Sequence, residues 1–420
     1  MEPRKQPPLA ELVMAGMGPQ DAIDLGDGIF MSRGVSNCYQ VATRDGVLMV
    51  NTGSAFETPW HTDRFARAVG APVRVIVFTQ SHADHIGGWH AFDAPGVETI
   101  AQADYANVRG YWNRLMPFYN RRAQALWAAH IRAQNRAGGG ASDARQRDPV
   151  PTLTFGDRHA FVLGERSVEL FSVPGGETTD SLAVWLPGSR TVFTGNLFGP
   201  IFGHVPNLLT LRGDKLRSAL AFVVSVDRVR ALGAEVLITG HGDPLRGARE
   251  IETALAKLRD HVQWVHDRTV EGMNAGRDLH ALMREIAVPP ALALGEGHGT
   301  VRWNVRAIWE EYTGWFRFES TTELYGVPQR AIAVDLVGLA GGAGALAQRA
   351  AEHLAAGRAL EALHLTDIAL TAEPAHAGAL RVEIAAHERL LEASGSQNLS
   401  ETRWLESRIA AASRALDKNI

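Results

Sequence analysis

Residues 79–88, TQSHADHIGG, place two imidazoles and a carboxylate within four positions: His82, Asp84 and His85. Neutral imidazole nitrogen and carboxylate oxygen together suit zinc, iron or manganese. Two more side chains of these types lie far along the chain. Glu177 closes Val173-Pro174-Gly175-Gly176-Glu177, and His241 sits in Ile238-Thr239-Gly240-His241-Gly242. Asn196 follows residues 191–194 by way of Gly195. A histidine alone is more often a surface or core residue than a ligand. The chain has 16 histidines, and His61, His90, His353 and His387 carry no comparable context. The cluster gives Glu177 and His241 their weight.

Such side chains act together only if the fold brings them to one place. Each follows an apolar run with strand character: 73–78 before the cluster, 167–173 before Glu177, 191–194 before Asn196, 235–239 before His241. Loops leaving several strand ends at one edge of a sheet would converge there. Two more strands are expected over 34–41 and 46–51, joined at Arg44-Asp45-Gly46. Helices are expected over 60–69 and 104–136. The latter is rich in aromatics (Tyr105, Tyr111, Trp112, Phe118, Tyr119, Trp127) and precedes a flexible Gly138-Gly139-Gly140 loop. Residues 1–20 read as a loosely ordered lead-in. Beyond about 250 strand signals cease and helical periodicity takes over. Residues 338–344 read as a hinge, and 346–392 as tetratricopeptide-like helical hairpins with Pro374 between two helices. The expectation is an α/β domain over 1–255 and an all-helical domain over 256–420.

Bulk properties exclude several classes. With 45% hydrophobic and 21% charged residues the chain is ordinary for a globular protein, and 420 residues allow two or three domains. A net charge of −4 gives no reason to expect nucleic acid or an anionic membrane as partner. The single cysteine, Cys38, rules out an internal disulfide and multi-thiolate metal sites. The first residues lack a secretory h-region, and no run reaches the roughly 18 apolar residues of a membrane span. A cytoplasmic protein is expected.

The cluster resembles the metallo-β-lactamase superfamily motif H-x-H-x-D-H, which follows a strand. Residues 207–213, NLLTLRG, are similar to the N-x-L-T-L-R-G signature of the type III alkylsulfatases within it. Residues 299–307 (GTVRWNVRA), 312–316 (YTGWF) and 339–342 (LAGG) resemble that branch's dimerisation domain. The resemblance spans about 25 to 395 and does not extend to the branch's terminal sterol-carrier-like domain. It implies an αββα metallo-β-lactamase sandwich followed by a helical dimerisation domain, hence a homodimer. It further implies that His82 and Glu177 serve a first metal, that Asp84, His85 and His241 serve a second, and that Asn207 and Arg212 hold the substrate's anionic group. Four positions depart from the pattern. Gln80 replaces the first histidine, Asn196 the bridging acid, Asn51 the aspartate of the D-T-G turn, and Trp303 a histidine.

One or two ions are therefore expected, zinc foremost and iron or manganese as alternatives, with the second position the better furnished. Gln80 and Asn196 can offer only a neutral amide oxygen. A bound cation lowers the pKa of its water from about 15.7 toward 7 in the best cases, and Asp84 could both ligate and orient that water. Arginine at 212 suits an anion because its planar fork reaches two oxygens. Region 105–127 is expected either to cover the site as an apolar lid or to be core. The implied substrate is a small molecule with an anionic or polar group and a hydrophobic part, a sulfate ester first. Trp303 cannot act as a general acid, so carboxylic esters, lactones, amides and phosphoesters stay open, as does a non-catalytic binding or scaffold role.

Overall fold

A computed structural model describes residues 8–136 and 148–418; the Gly138-Gly139-Gly140 loop lies outside them. Seven strands form the first sheet in chain order: β1 (Ile23–Gly26), β2 (Ile29–Ser32), β3 (Cys38–Thr43), β4 (Gly46–Val50), β5 (Val73–Val77), β6 (Glu98–Gln102) and β7 (Leu153–Phe155). Six form the second: β8 (Arg158–Leu163), β9 (Arg166–Ser172), β10 (Leu182–Leu186), β11 (Thr191–Phe193), β12 (Val236–Ile238) and β13 (Leu245–Arg246), ordered β13-β12-β11-β10-β9-β8. The first sheet pairs antiparallel up to β4 and parallel from there to β7. In the second, only β11 and β12 pair in parallel.

Period-two alternation sorts the apolar side chains. Leu48, Val50, Val75 and Val77 face Val168, Leu170, Leu182, Val184 and Phe193 in the core between the sheets. Met49, Ile76 and Phe78 turn to the other face and pack with Phe65, Ile86 and Tyr105 from helices α2 (Thr58–Ala68), α3 (Ala83–Ile86) and α4 (Tyr105–Arg136). On the far side, Phe171, Ala183, Trp185, Val192 and Leu237 meet α5 (Ala219–Arg230), α6 (Ala248–Asn274), α7 (Leu279–Glu285) and α8 (Val301–Thr313). The result is the αββα sandwich expected from the sequence. Direct bonds also join the two sheets beside the strand ends. Asn37 N–H donates to Gly240 O at 2.7 Å and Leu182 N–H to Thr79 O at 2.8 Å, while Tyr39 Oη donates to Thr239 O at 2.7 Å.

The compact units divide at Glu311/Tyr312, further along than the border at 255 read from the sequence. The reason is packing: Ile251, Leu255, Leu258, Val262 and Val265 of α6, with Val305 and Ile308 of α8, belong to the core on the second sheet. The lead-in also differs from its expectation. Pro8–Leu12 forms helix α1, with Leu9 and Ala10 buried. The unit built chiefly from Tyr312 onward contains α9 (Ala333–Leu339), α10 (Ala343–Ala355), α11 (Ala359–Ala372), α12 (Ala377–Ala393) and α13 (Leu399–Asp417). Successive helices pack on one another around Val337, Ala343, Ala347, Ala369 and Ala379. The hinge falls where read, with Gly341 and Gly342 at positive φ between α9 and α10. Among the described residues no single helix is long and apolar enough to cross a membrane.

Candidate metal centre

Polar residues leave β5, β9, β11 and β12 at one edge of the sandwich. After β5, His82 stands with extended backbone at the start of α3, whose single turn carries Asp84 and His85. Thr52 N–H donates to His85 O at 2.7 Å, and Ser36 Oγ to Asp84 O at 2.7 Å. The glycine pair after the cluster has a steric cause. A Cβ on Gly88 would lie 2.3 Å from Thr52 O, so only glycine lets α3 sit against the chain leaving β4.

Asp84, His85 and His241 bring one ligand atom each within 4.8 Å of one another. His85 Nε2 lies 3.7 Å and His241 Nε2 3.9 Å from Asp84 Oδ2, with the two rings nearly perpendicular. His85 Nε2 is buried without a protein partner. Two imidazoles, one carboxylate and an orphaned ring nitrogen fit a divalent cation.

Around the residues expected to serve a first metal runs an amide network. Gln80 Nε2 lies 2.9 Å from His82 Nδ1, and Gln80 Oε1 accepts the Asn196 N–H at 3.2 Å. Asn196 Nδ2 donates to Glu177 Oε2 at 2.9 Å and lies 3.1 Å from His241 Nε2. Glu177 is also surrounded by cationic or basic groups: His82 Nδ1 at 3.4 Å, His298 Nε2 at 3.5 Å and Arg217 Nη1 at 3.7 Å. Arg217 in turn reaches Asp214 at 3.3 Å and donates to Asn207 O at 2.7 Å. Every sequence-selected candidate at this position thus finds a neighbour inside the protein.

Burial dominates the titration of the site. It pushes the His85 imidazole down to about 4 from its ordinary 6.5, against a smaller upward pull from Asp84. His298 is likewise lowered to about 4 by burial, with Glu177 opposing. Burial pushes Asp84 and Glu177 upward, but their neighbours outweigh it and both lie below the usual carboxylate range. Asp84 is held by His85, His241 and His82, and Glu177 by His82, Arg217 and His298. Burial thus favours the neutral form of His85 and His298, while the carboxyls of Asp84 and Glu177 favour the ionised form.

A cavity of about 490 Å³ opens beside His82 and Asp84, lined also by Arg109, Trp112, Met116, Tyr119 and Arg212. The Arg212 guanidinium lies 4.9 Å from the Trp112 ring centroid, and its buried Nε has no partner. The first half of α4 therefore forms one wall of the cavity. Asn207 does not line this cavity; it is buried in a separate small pocket with Glu177, Arg217 and His298, with its Oδ1 unpartnered. Trp303 belongs to α8 and lines neither cavity. His298, Arg217 and Asp214 were not singled out from the sequence. Flanking glycines at 297 and 299, and a second arginine five positions after Arg212, were the available signals.

Residues 31–241 match the metallo-beta-lactamase superfamily, and residues 279–404 match the alkyl sulfatase dimerisation family. The chain is 30% identical over 318 residues to a linear primary-alkylsulfatase from Pseudomonas sp., covering 71% of this chain and 59% of that protein. It is 26% identical over 353 residues to an alkyl/aryl-sulfatase of Saccharomyces cerevisiae, covering 77% and 53%. Among solved structures it resembles the stereoselective inverting sec-alkylsulfatase from Pseudomonas sp., with a TM-score of 0.82 and 22% identity over 95% of this chain and 66% of that one. The chain spans little more than half the length of the two curated relatives.

Proposed function

Because this chain belongs to the metallo-β-lactamase superfamily and carries an alkyl sulfatase dimerisation segment, we propose that it is a metal-dependent hydrolase acting on the sulfate ester of a hydrophobic alcohol. The observation that carries this reading is the convergence of Asp84, His85 and His241 within 4.8 Å, next to a cavity lined by Arg212 and Trp112.

In this reading Asp84, His85 and His241 hold the catalytic ion, zinc first and iron or manganese as alternatives. When bound, such an ion makes hydroxide available at neutral pH and offsets charge on ester oxygens. His82, Glu177, Gln80 and Asn196 form the weaker first position. Asp84 orients the attacking water. Arg212 donates its fork to two oxygens of the anionic head, and Asn207 helps to hold that group. Trp112, Met116 and Tyr119 take the hydrophobic part and keep water from it. The protein acts as a homodimer through its helical segment.

The test is turnover of zinc-loaded protein on primary and secondary alkyl sulfates beside matched carboxylic esters, lactones, amides and phosphate esters. Inorganic sulfate should be released, and chelation or His241→Ala should abolish it. Turnover confined to another ester class would move the substrate assignment. No turnover of any, with zinc bound, would favour a ligand-binding role.

A further inference from the structure

Asn51 follows β4 in the left-handed region (φ 59°), and its backbone N–H donates to Val77 O at 2.9 Å. Its side chain is buried and held from two sides. Oδ1 accepts the backbone N–H of Thr79 at 2.9 Å, and Nδ2 lies 2.9 Å from His85 Nδ1. A backbone N–H can only donate, so the amide oxygen is fixed on the Thr79 side. The amide NH₂ also can only donate, so His85 Nδ1 must accept. A neutral ring that accepts at Nδ1 carries its proton on Nε2. That atom is the one facing Asp84 Oδ2 at 3.7 Å. A protonated ring nitrogen has no lone pair for a cation.

The other amide of the centre is not held in this way. Asn196 Nδ2 faces His241 Nε2 at 3.1 Å, but Asn196 Oδ1 has no partner. Asn196 is held through its NH₂ alone, which donates to Glu177 Oε2 at 2.9 Å, so nothing fixes it from the oxygen side. Turning Asn51 over sets its NH₂ against the Thr79 N–H and leaves a buried donor unsatisfied.

We propose that Asn51 is a positioning residue that sets the tautomer of His85, placing the proton on Nε2, so that a cation enters the Asp84–His85–His241 position only by displacing this amide. The inference rests on reading those three residues as a cation site. An aspartate at 51 tolerates the same left-handed backbone. It would accept both the Thr79 N–H and a His85 Nδ1–H, leaving Nε2 free to ligate.

Two measurements test this on the full chain. The first is a Zn²⁺ titration of wild type and Asn51→Asp against a chromophoric chelator, where the variant should bind about 10- to 100-fold tighter. The second is the ring ¹⁵N spectrum of metal-free protein, with His85 assigned by comparison with His85→Gln. His85 should be Nε2–H in wild type and Nδ1–H in Asn51→Asp. A wild-type His85 in the Nδ1–H form overturns the proposal whether or not the variant folds. So does a folded Asn51→Asp that binds Zn²⁺ no more tightly than a wild type that does bind it. If neither chain binds Zn²⁺ while the tautomers differ as stated, the role of Asn51 stands and the cation-site reading fails.

Discussion

Arg212 illustrates how one side chain's surroundings decide its use. Its guanidinium is set over Trp112, and its buried Nε has no protein partner, which is what the proposed anion-binding role requires. Arg212→Lys should lower kcat/KM on an alkyl sulfate by roughly 10²-fold, because a point charge cannot reproduce the fork; steady-state kinetics read this directly. His298 gives a pH prediction. Burial lowers its pKa to about 4 from 6.5, so between those values the unfolded chain binds a proton that the folded chain refuses. The stabilisation from keeping this ring neutral is complete above about pH 6.5 and is lost as pH falls toward 4, and His85 adds with the same sign. His298→Gln should flatten this dependence by up to about 3 kcal/mol, read from urea unfolding of metal-free protein at pH 7 and pH 4.5. Gln80 and Asn196 were visible in the sequence as departures from a motif. That they bond to His82, Glu177 and each other was not, because amide orientation depends on tertiary neighbours, Gln80 and Asn196 meeting across 116 positions. The contact of His298 with Glu177 was hidden for the same reason.

Elements were legible where alternation or periodicity was strong. Residues 75–78 bury Val75 and Val77 in the sheet–sheet core and Ile76 and Phe78 against helices, so both alternating sets are apolar and the strand is evident. Strand β8, whose exposed alternate positions include Ala160 and Val162, and the short β1, β2, β6, β7 and β13 carry little pattern and were missed. Helix α6 reads as an amphipathic helix, but nothing in its sequence says that its apolar stripe covers the second sheet rather than the later helices. The loop after β9 has a testable steric limit. A Cβ on Gly175 would lie 2.2 Å from Ala221 O at the start of α5. Gly175→Ala should therefore push that loop off α5 and destabilise the protein by about 1–3 kcal/mol, measured by thermal or denaturant unfolding. It should also displace Glu177, two residues on.

At the scale of the whole molecule, the expected outcomes are read in solution. Sedimentation at micromolar concentration should give twice the mass of the 45.5 kDa chain, and a monomer would count against the dimer. Saturating Zn²⁺ at about 100 times its Kd should stabilise the folded state by about 2.7 kcal/mol, so a chelator should lower the melting temperature. The donors have a further consequence through their origin. Asp84 and His85 follow β5 of one sheet, whereas His241 follows β12 of the other. An ion held by all three would rivet the two layers at their shared rim. Amide exchange at Ile76 and Val77 should then slow together with exchange at Leu237 and Ile238 when Zn²⁺ is added, and quicken together when it is withdrawn.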